Sequence, residues 1–459
     1  MEKGSGAGLK QGSGGLPPGP RLPEVVQSLM LWTSIDRFLE GCVRRYGPVF
    51  TAKIAPMGTL VYVTDPAEIK RVFTGDTSVF HAGEANATVL ERIMGRHSVL
   101  IVDDEEHLRQ RRRMLPPFHG ESVRRYGEVI EEVTRAELAR WPRGTAFELH
   151  PRMHAIALEV ILRAVIGVEG PKRLAELRAL LPRLGELNIV LLLSWSWPRL
   201  NGFGPWRKYE RLRHAIDELL YDEIRRRREA PDLERREDIL SLLIRGSEGE
   251  EPMTDEELRD QLITLLLAGH ETTATGLAWA FERLLRHPQA LARLEQEIAA
   301  GEDAYLDAVV KETLRVRPVI FDVARKLKAP AEVAGYTLPA GVTVMPAVGI
   351  VQRSRERWSE PREFRPERFI DGQPEPYTWI PFGGGTRRCL GAAFATVEMK
   401  TVLRTVLSEL ELRADRPAPE GVRMRHITLV PSRGARAIAS ARAERLAAVE
   451  AQTAAAVVA

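Results

Sequence analysis

PFGGGTRRCLG, Pro381 to Gly391, decides how this 459-residue chain is read. It places one cysteine, Cys389, behind three glycines and two arginines and just ahead of a helix-like run, LGAAFATVEMKTVLRTVL. The chain has one other cysteine, Cys42, so no disulfide framework is available, which suits a reducing compartment. A free cysteine is most often a small buried hydrophobe. Here the start of a helix favours negative charge through its dipole and free N–H groups, so the setting suits a metal-bound thiolate. Glycines 383 to 385 let a backbone approach a flat cofactor and aim N–H groups at the sulfur. Arg387 and Arg388 are cations suited to carboxylates.

Working outward, residues 255–286 read as one helix, DEELRDQLITLLLAGHETTATGLAWAFERLLR. Thr254 and Glu257 make a capping box, and Pro288 follows the end. At 1.5 Å per residue the helix spans about 45–50 Å, the width of a domain. Its middle breaks the apolar pattern with Gly269, His270, Glu271, Thr272 and Thr273, a local violation that suggests a site. His270–Glu271 begins like the HExxH zinc motif, but residue 274 is alanine, so that reading fails. Two readings stay open on the residues alone. One is a groove for a diatomic ligand beside Gly269, with Glu271 and Thr272 passing protons. The other is a helix packed through small residues, with His270 and Glu271 outward. Further along, Glu312 and Arg315 are spaced i,i+3 on one helix, and FRPERF carries Arg368, a possible third member of a buried charge network.

Helical patterns dominate the rest, at about 121–141, 151–167, 207–228, 289–299, 303–316 and 390–408. A strand pair, VFTAKI and LVYVTD, turns around Pro56 to Gly58. Between 318 and 380 prolines, glycines and short β-branched runs predict small strands and loops. The fold class is mainly α with a small β part, and no strand–helix alternation supports a doubly wound sheet. Net charge is +3, which gives no global argument for nucleic acid. The runs Arg109–Arg113 and Arg225–Arg228 read as solvated helix faces. No apolar run reaches the length of a membrane span, so no membrane anchor is expected. Residues 1–15 are Gly/Ser-rich and read as a disordered tail without a signal core, and LPPGPRLP as a stiff, extended entry. Residues 441–459 form an Ala-rich tail expected to fray.

Taken together, these segments resemble the cytochrome P450 family of haem-thiolate monooxygenases. PFGGGTRRCLG matches its cysteine loop, AGHETT (268–273) its oxygen-activation motif, Glu312–Arg315 its glutamate–arginine pair and PERF (366–369) its following arginine. The resemblance runs from about 16 to 435 and implies one large domain, taken here as 16–440, with the haem between the central helix and the cysteine loop. It implies haem b as cofactor and Cys389 as its axial iron ligand, with Phe382 and Gly383 in the loop beside it. HLRQRRRMLPPFH resembles the helix that grips the haem propionates, through His107 and Arg111; Arg325 and Arg387 match further propionate partners. Glu271 and Thr272 would be the catalytic pair delivering protons during oxygen insertion. Glu312, Arg315 and Arg368 would be structural. Gln352 stands where a histidine is common and is assigned no role.

The same resemblance implies O2 and a lipophilic substrate (terpenoid, steroid, fatty acid or polyketide). Its pocket would draw on 82–100, 187–205, the central helix, Val319–Val323 and Ile427–Leu429, with Trp195 and Trp197 in a lid. The chain ends seventy residues after Cys389, so no fused reductase is expected. Electrons would come from a separate ferredoxin and ferredoxin reductase, or a flavodoxin, docking an acidic surface on Arg109, Arg112 and Arg113. A monomer in a bacterial cytoplasm is expected. Two alternatives remain: a peroxide-driven haem-thiolate peroxygenase and a non-catalytic haem-binding protein. A cysteine hydrolase would need Cys389 free beside a histidine base.

Overall fold

The computed structural model describes residues 15–118, 120–168, 170–184, 204–246 and 251–442. Both tail readings, and the 187–205 lid with Trp195 and Trp197, lie wholly or mostly outside those residues. The helices are α1 Glu24–Tyr46, α2 Pro66–Thr74, α3 Ala82–Met94, α4 Asp104–Met114, α5 Glu121–Leu138, α6 Leu149–Ile161, α7 Pro171–Leu184, α8 Gly204–Arg228, α9 Ile239–Arg245, α10 Asp255–Leu284, α11 Pro288–Ala300, α12 Ala304–Val316, α13 Val348–Val351 and α14 Ala392–Glu409. The mainly helical fold class therefore holds. The longest, α10, opens on the expected capping box: Thr254 Oγ1 accepts the Glu257 N–H at 3.2 Å, and Glu257 accepts the Thr254 N–H at 2.9 Å. Most of α10 is buried, and its most extensive packing partner is α6. The two helices share the main apolar core with α5, α12 and α14.

The β part is small. Strands β1 Val49–Ile54 and β2 Gly58–Val63 form the expected hairpin, and β3 is Phe80–His81. With β5 Arg325–Leu327 and β8 Thr343–Pro346 they make a five-stranded sheet, order β1-β2-β8-β5-β3. Only β2 and β8 run parallel in it, with Val61 opposite Val344. Its two faces carry separate apolar clusters, one shared with α1 and one with α2. The remaining strands are β4 Ala146–Glu148, β6 Ala331–Val333, β7 Tyr336–Leu338, β9 Leu410–Ala414, β10 Val422–Arg425, β11 Thr428–Pro431 and β12 Arg436–Ala441. Of these, the β10–β11 hairpin lies beside α10.

One helix was not read from the sequence, and one sequence reading is corrected. LPPGPRLP does enter without regular structure, but it leads directly into α1, which the sequence did not announce. The reason is that α1 turns Val25, Leu29 and Trp32 outward, so its apolar residues do not trace one buried stripe. The arginine runs are not simple solvated faces. Arg227 is 3% exposed and reaches Glu223 Oε1 at 2.9 Å, the Ile166 carbonyl at 2.7 Å, Ser241 and Asp238. Arg113 is also buried, donating to the Glu251 carbonyl at 2.6 Å. Successive helix residues point about 100° apart, so a run of four or five must send some members inward.

Candidate haem site

The Cys389 loop is organised by its own backbone. The Cys389 N–H donates to the Phe382 carbonyl at 2.9 Å and the Gly383 N–H to the Ile380 carbonyl at 3.0 Å. Gly383 and Gly385 have φ of 68° and 63°, the left-handed region that glycine enters without a Cβ clash. Two of the three glycines serve a neighbour rather than a cofactor. A Cβ on Gly385 would lie 1.9 Å from the Phe73 carbonyl oxygen, and one on Gly384 would lie 2.6 Å from the Phe73 ring. They let α2 pack against the loop, while a Cβ on Gly383 would meet open space. Phe382 rests edge-on against Trp379, ring centroids 6.2 Å apart.

The thiol itself departs from the sequence expectation. α14 begins three residues later, and the N–H aimed at the sulfur is that of Gly391, not those of Gly383–Gly385. Burial pushes the Cys389 pKa up, outweighing that N–H and the positive charges of Arg111 and Arg388. Yet Cys389 is exposed. Both hold together only if the side chain faces a space enclosed by protein. A thiol in such a place stays protonated until a metal cation takes the proton's position.

The cations expected around the propionates do gather. His107 is 2% exposed, and its pKa is driven down to about 3 by burial and by Arg387, Arg111 and Arg325. Burial also lowers Arg325 and Arg387 to about 10, with Arg387 acting against Arg325 and Arg111 against Arg387; Asp103 opposes both shifts. Arg325 donates to the Ala324 carbonyl at 2.8 Å and lies over the Phe73 ring at 5.4 Å. Arg387 is more fully committed than expected: it donates to the Val99 carbonyl at 3.0 Å, the Val102 carbonyl at 2.6 Å and Asp103. His107, Arg325 and Arg387 line one cleft with Phe73, Asp103 and Thr386. Three guanidinium groups gather beside that imidazole with two carboxylates, Asp103 and Asp104, and Asp103 is already paired with Arg387, so positive charge stays in excess, and a buried charge without a partner is costly. A dicarboxylate such as haem supplies the missing charge, so these residues fit that group.

On α10 the burial pattern breaks where the sequence did. From Glu257 to Leu266 and from Thr273 to Leu284 every residue is buried, whereas Leu267, Ala268, Gly269, Glu271 and Thr272 are open to some degree. Ala268 is the most open, and Thr272 Oγ1 donates to its carbonyl at 2.7 Å, leaving the oxygen lone pairs outward. The opening therefore centres on Ala268, next to Gly269, with Thr272 one turn further on. A Cβ on Gly269 would come within 2.9 Å of Ile161, so this glycine admits α6. His270 does not face outward: it is buried with Nδ1 2.7 Å from the Leu266 carbonyl.

Glu271 is half-buried among groups the sequence did not single out. One carboxylate oxygen lies 3.5 Å from His154 Nε2; the other accepts from Thr428 Oγ1 at 3.3 Å and lies 3.9 Å from His426 Nδ1. Burial raises its pKa, against the positive charge of Arg425 and the Thr428 bond. A carboxyl held partly towards its protonated form suits a proton carrier. His154 and His150 were missed because α6 reads as an apolar helix; their i,i+4 spacing was the available signal.

The glutamate–arginine pair is fully buried. Glu312 and Arg315 are both 0% exposed and meet in two bonds of 2.6 and 2.8 Å. Arg368 Nε joins Glu312 at 3.3 Å. Gln352, given no role from sequence, is fully buried; it donates to the Leu314 carbonyl at 3.0 Å and accepts the Ile380 N–H at 2.9 Å. It thereby ties the Glu312–Arg315 helix to the strand of chain entering the cysteine loop. Two of the three arginines expected to meet an acidic partner, Arg109, Arg112 and Arg113, are engaged within the protein. Arg109 is occupied by Glu106 at 2.7 Å and Glu257 at 3.1 Å, and Arg113 is buried.

The cytochrome P450 family model matches residues 16–435. Cytochrome P450 135B1 of Mycobacterium tuberculosis is 50% identical over 429 residues, covering 92% of this chain and 91% of that protein. Cytochrome P450 135A1 of the same species is 41% identical, covering 92% and 94%. A solved structure, retinoic acid bound cyanobacterial CYP120A1, superposes with a TM-score of 0.80 at 22% identity, covering 93% of this chain and all of that one, which shows the fold. The chain belongs to the cytochrome P450 family. It is a haem enzyme of the monooxygenase type, similar along most of its length to the mycobacterial 135 proteins. No helix among the described residues is long and apolar enough to cross a membrane.

Proposed function

We propose that this cytochrome P450 holds haem b through Cys389 and inserts one oxygen atom of O2 into a lipophilic small molecule. The observation that carries the reading is a pair of openings. One is at Cys389, accessible yet enclosed; the other is at Ala268 and Thr272 on α10. In this reading they are the two walls of one slot. His107, Arg111, Arg325 and Arg387 neutralise the propionates, and Phe382 and Gly383 flank the sulfur. The bound haem supplies the oxygen and electron-transfer chemistry.

The protein's part is to orient and to move protons. Glu271 carries a proton inward from the polar cluster of His154, His426 and Thr428, and Thr272 hands it on by rotating its hydroxyl away from the Ala268 carbonyl. Val319, Phe321 and Leu429, which are buried and apolar, supply a wall that excludes water and suits a terpenoid, steroid, fatty acid or polyketide. Electrons come from a separate ferredoxin and ferredoxin reductase, or a flavodoxin. The domain is 16–440, working as a monomer in the cytoplasm.

The test is the stoichiometry of Thr272→Ala. Haem and substrate binding persist, while product per NAD(P)H falls and hydrogen peroxide rises. Unchanged product per NAD(P)H would refute the proton-delivery role. Turnover with hydrogen peroxide and none with ferredoxin would replace the monooxygenase by a peroxygenase.

A further inference from the structure

His150 and His154 lie one turn apart on the same face of α6, and Glu271 comes towards them from α10. One ring nitrogen from each histidine and one Glu271 oxygen lie within 4.8 Å of one another. The His154 Nε2–Glu271 separation, 3.5 Å, is close to the roughly 3.3 Å edge of a tetrahedron with metal–ligand arms of about 2.0–2.1 Å. His154 Nε2 is also a buried ring nitrogen with no hydrogen-bond partner, an arrangement that calls for an explanation. His150 Nε2 makes only a long contact with Thr275 Oγ1, 3.3 Å. His270 stacks edge-on against His154, ring centroids 5.5 Å apart, but is committed to Leu266 and stays outside the set. Because α6 and α10 are the most extensively packed pair of elements, the three ligands ride on rigid supports.

We propose that His150, His154 and Glu271 form a binding site for a zinc-class divalent cation, with water completing the tetrahedron. Two imidazoles and one carboxylate are the ligand set such ions take when one position stays open. Arg425 and His426, on the hairpin side of Glu271, oppose the added charge and keep the affinity moderate. Glu271 precedes Thr272, so a bound cation removes the carboxylate from proton traffic; this consequence, unlike the site itself, rests on the function proposed above. A second His/Glu group, His97 with Glu106 and Glu257, has its carboxylates taken by Arg109, Gln110 and the Thr254 N–H.

The experiment is calorimetric titration of ZnCl2 into the haem-loaded full chain after chelator treatment and its removal. One ion per chain is expected, with affinity weakened at least about tenfold in His150→Ala and in His154→Ala and unchanged in His97→Ala. An unaltered haem spectrum verifies each variant's fold, and His154→Gln replaces His154→Ala should that variant fail to fold. No binding, binding indifferent to both α6 substitutions, or binding lost in His97→Ala would overturn the site. In parallel, Zn2+ slows product formation by the unsubstituted protein. Binding without slowing would leave the site standing and overturn the proton-carrier reading of Glu271.

Discussion

Replacing Arg315 with methionine fills a similar volume but removes five donor contacts from a fully buried place. Two go to Glu312, and the others to the carbonyls of Gln352 at 2.9 Å, Pro361 at 2.8 Å and Glu363 at 3.1 Å. The guanidinium also lies 4.9 Å from the Trp358 ring centre. Stranding the Glu312 carboxylate costs about 3–5 kcal/mol, and three carbonyls left without this donor cost about 1 kcal/mol or more each. The sum, roughly 6–8 kcal/mol, is comparable to a whole domain's stability of about 5–15 kcal/mol. Arg368 at 3.3 Å and the Arg365 N–H at 2.8 Å still reach Glu312 and temper the loss without cancelling it. Arg315→Met is therefore expected to yield little haem-loaded protein, read as the Soret-to-280 nm ratio of the soluble fraction. What does fold unfolds at much lower urea.

The sharper expectation concerns the double variant. Adding Glu312→Gln removes the stranded charge and keeps an acceptor for Arg365, so the double variant is more stable than Arg315→Met alone, by about 2–3 kcal/mol of coupling. Urea midpoints showing Arg315→Met within about 1 kcal/mol of the parent, or the two losses simply adding, would refute the assignment of Glu312 and Arg315 as one buried unit.

Two other substitutions test buried charge. Glu398 is 2% exposed, has an Oε1 with no partner and a pKa that burial pushes well up. With the folded pKa above the unfolded one, the folded state holds the extra proton, so stability is full below about pH 4.5 and declines as pH rises towards the folded pKa, by about 1.4 kcal/mol per unit. Glu398→Gln should flatten the fall in Tm between pH 5.5 and 8, and an equally steep fall would contradict it. Arg325→Met should leave the haem-free protein as stable or more so, because a buried cation facing Arg387 is gone, while haem is lost faster to an acceptor protein. Unchanged haem loss would remove Arg325 from the propionate set.

Much of this was legible in the chain because it is encoded locally. The capping box at Thr254 and Glu257 and the burial break at AGHETT depend on neighbours a few residues apart, and α10 follows them. The loop's glycines were legible as glycines, but not the purpose of Gly384 and Gly385, since Phe73 lies three hundred residues earlier in the chain. The helix-start argument for the Cys389 thiolate failed for a related reason. A helix start favours thiolate in water, and only the folded surroundings reveal that burial outweighs it. Charge runs misled in the same way: periodicity sends some arginines inward, but which carboxylate awaits them, as Glu223 awaits Arg227, is a matter of tertiary packing. Gln352 was seen but given no role because a single polar residue shows its purpose only once its partners are known, and the α6 histidines, whose i,i+4 spacing was there to read, were passed over inside an apolar segment.

The central claim, that Cys389 is the axial ligand of the haem iron, is tested most directly by the absorption spectrum of the reduced protein under carbon monoxide. Thiolate ligation predicts a strongly red-shifted Soret band in the unsubstituted protein and its loss in Cys389→Ala. An unshifted band in the first, or a shifted band surviving in the second, would contradict the account.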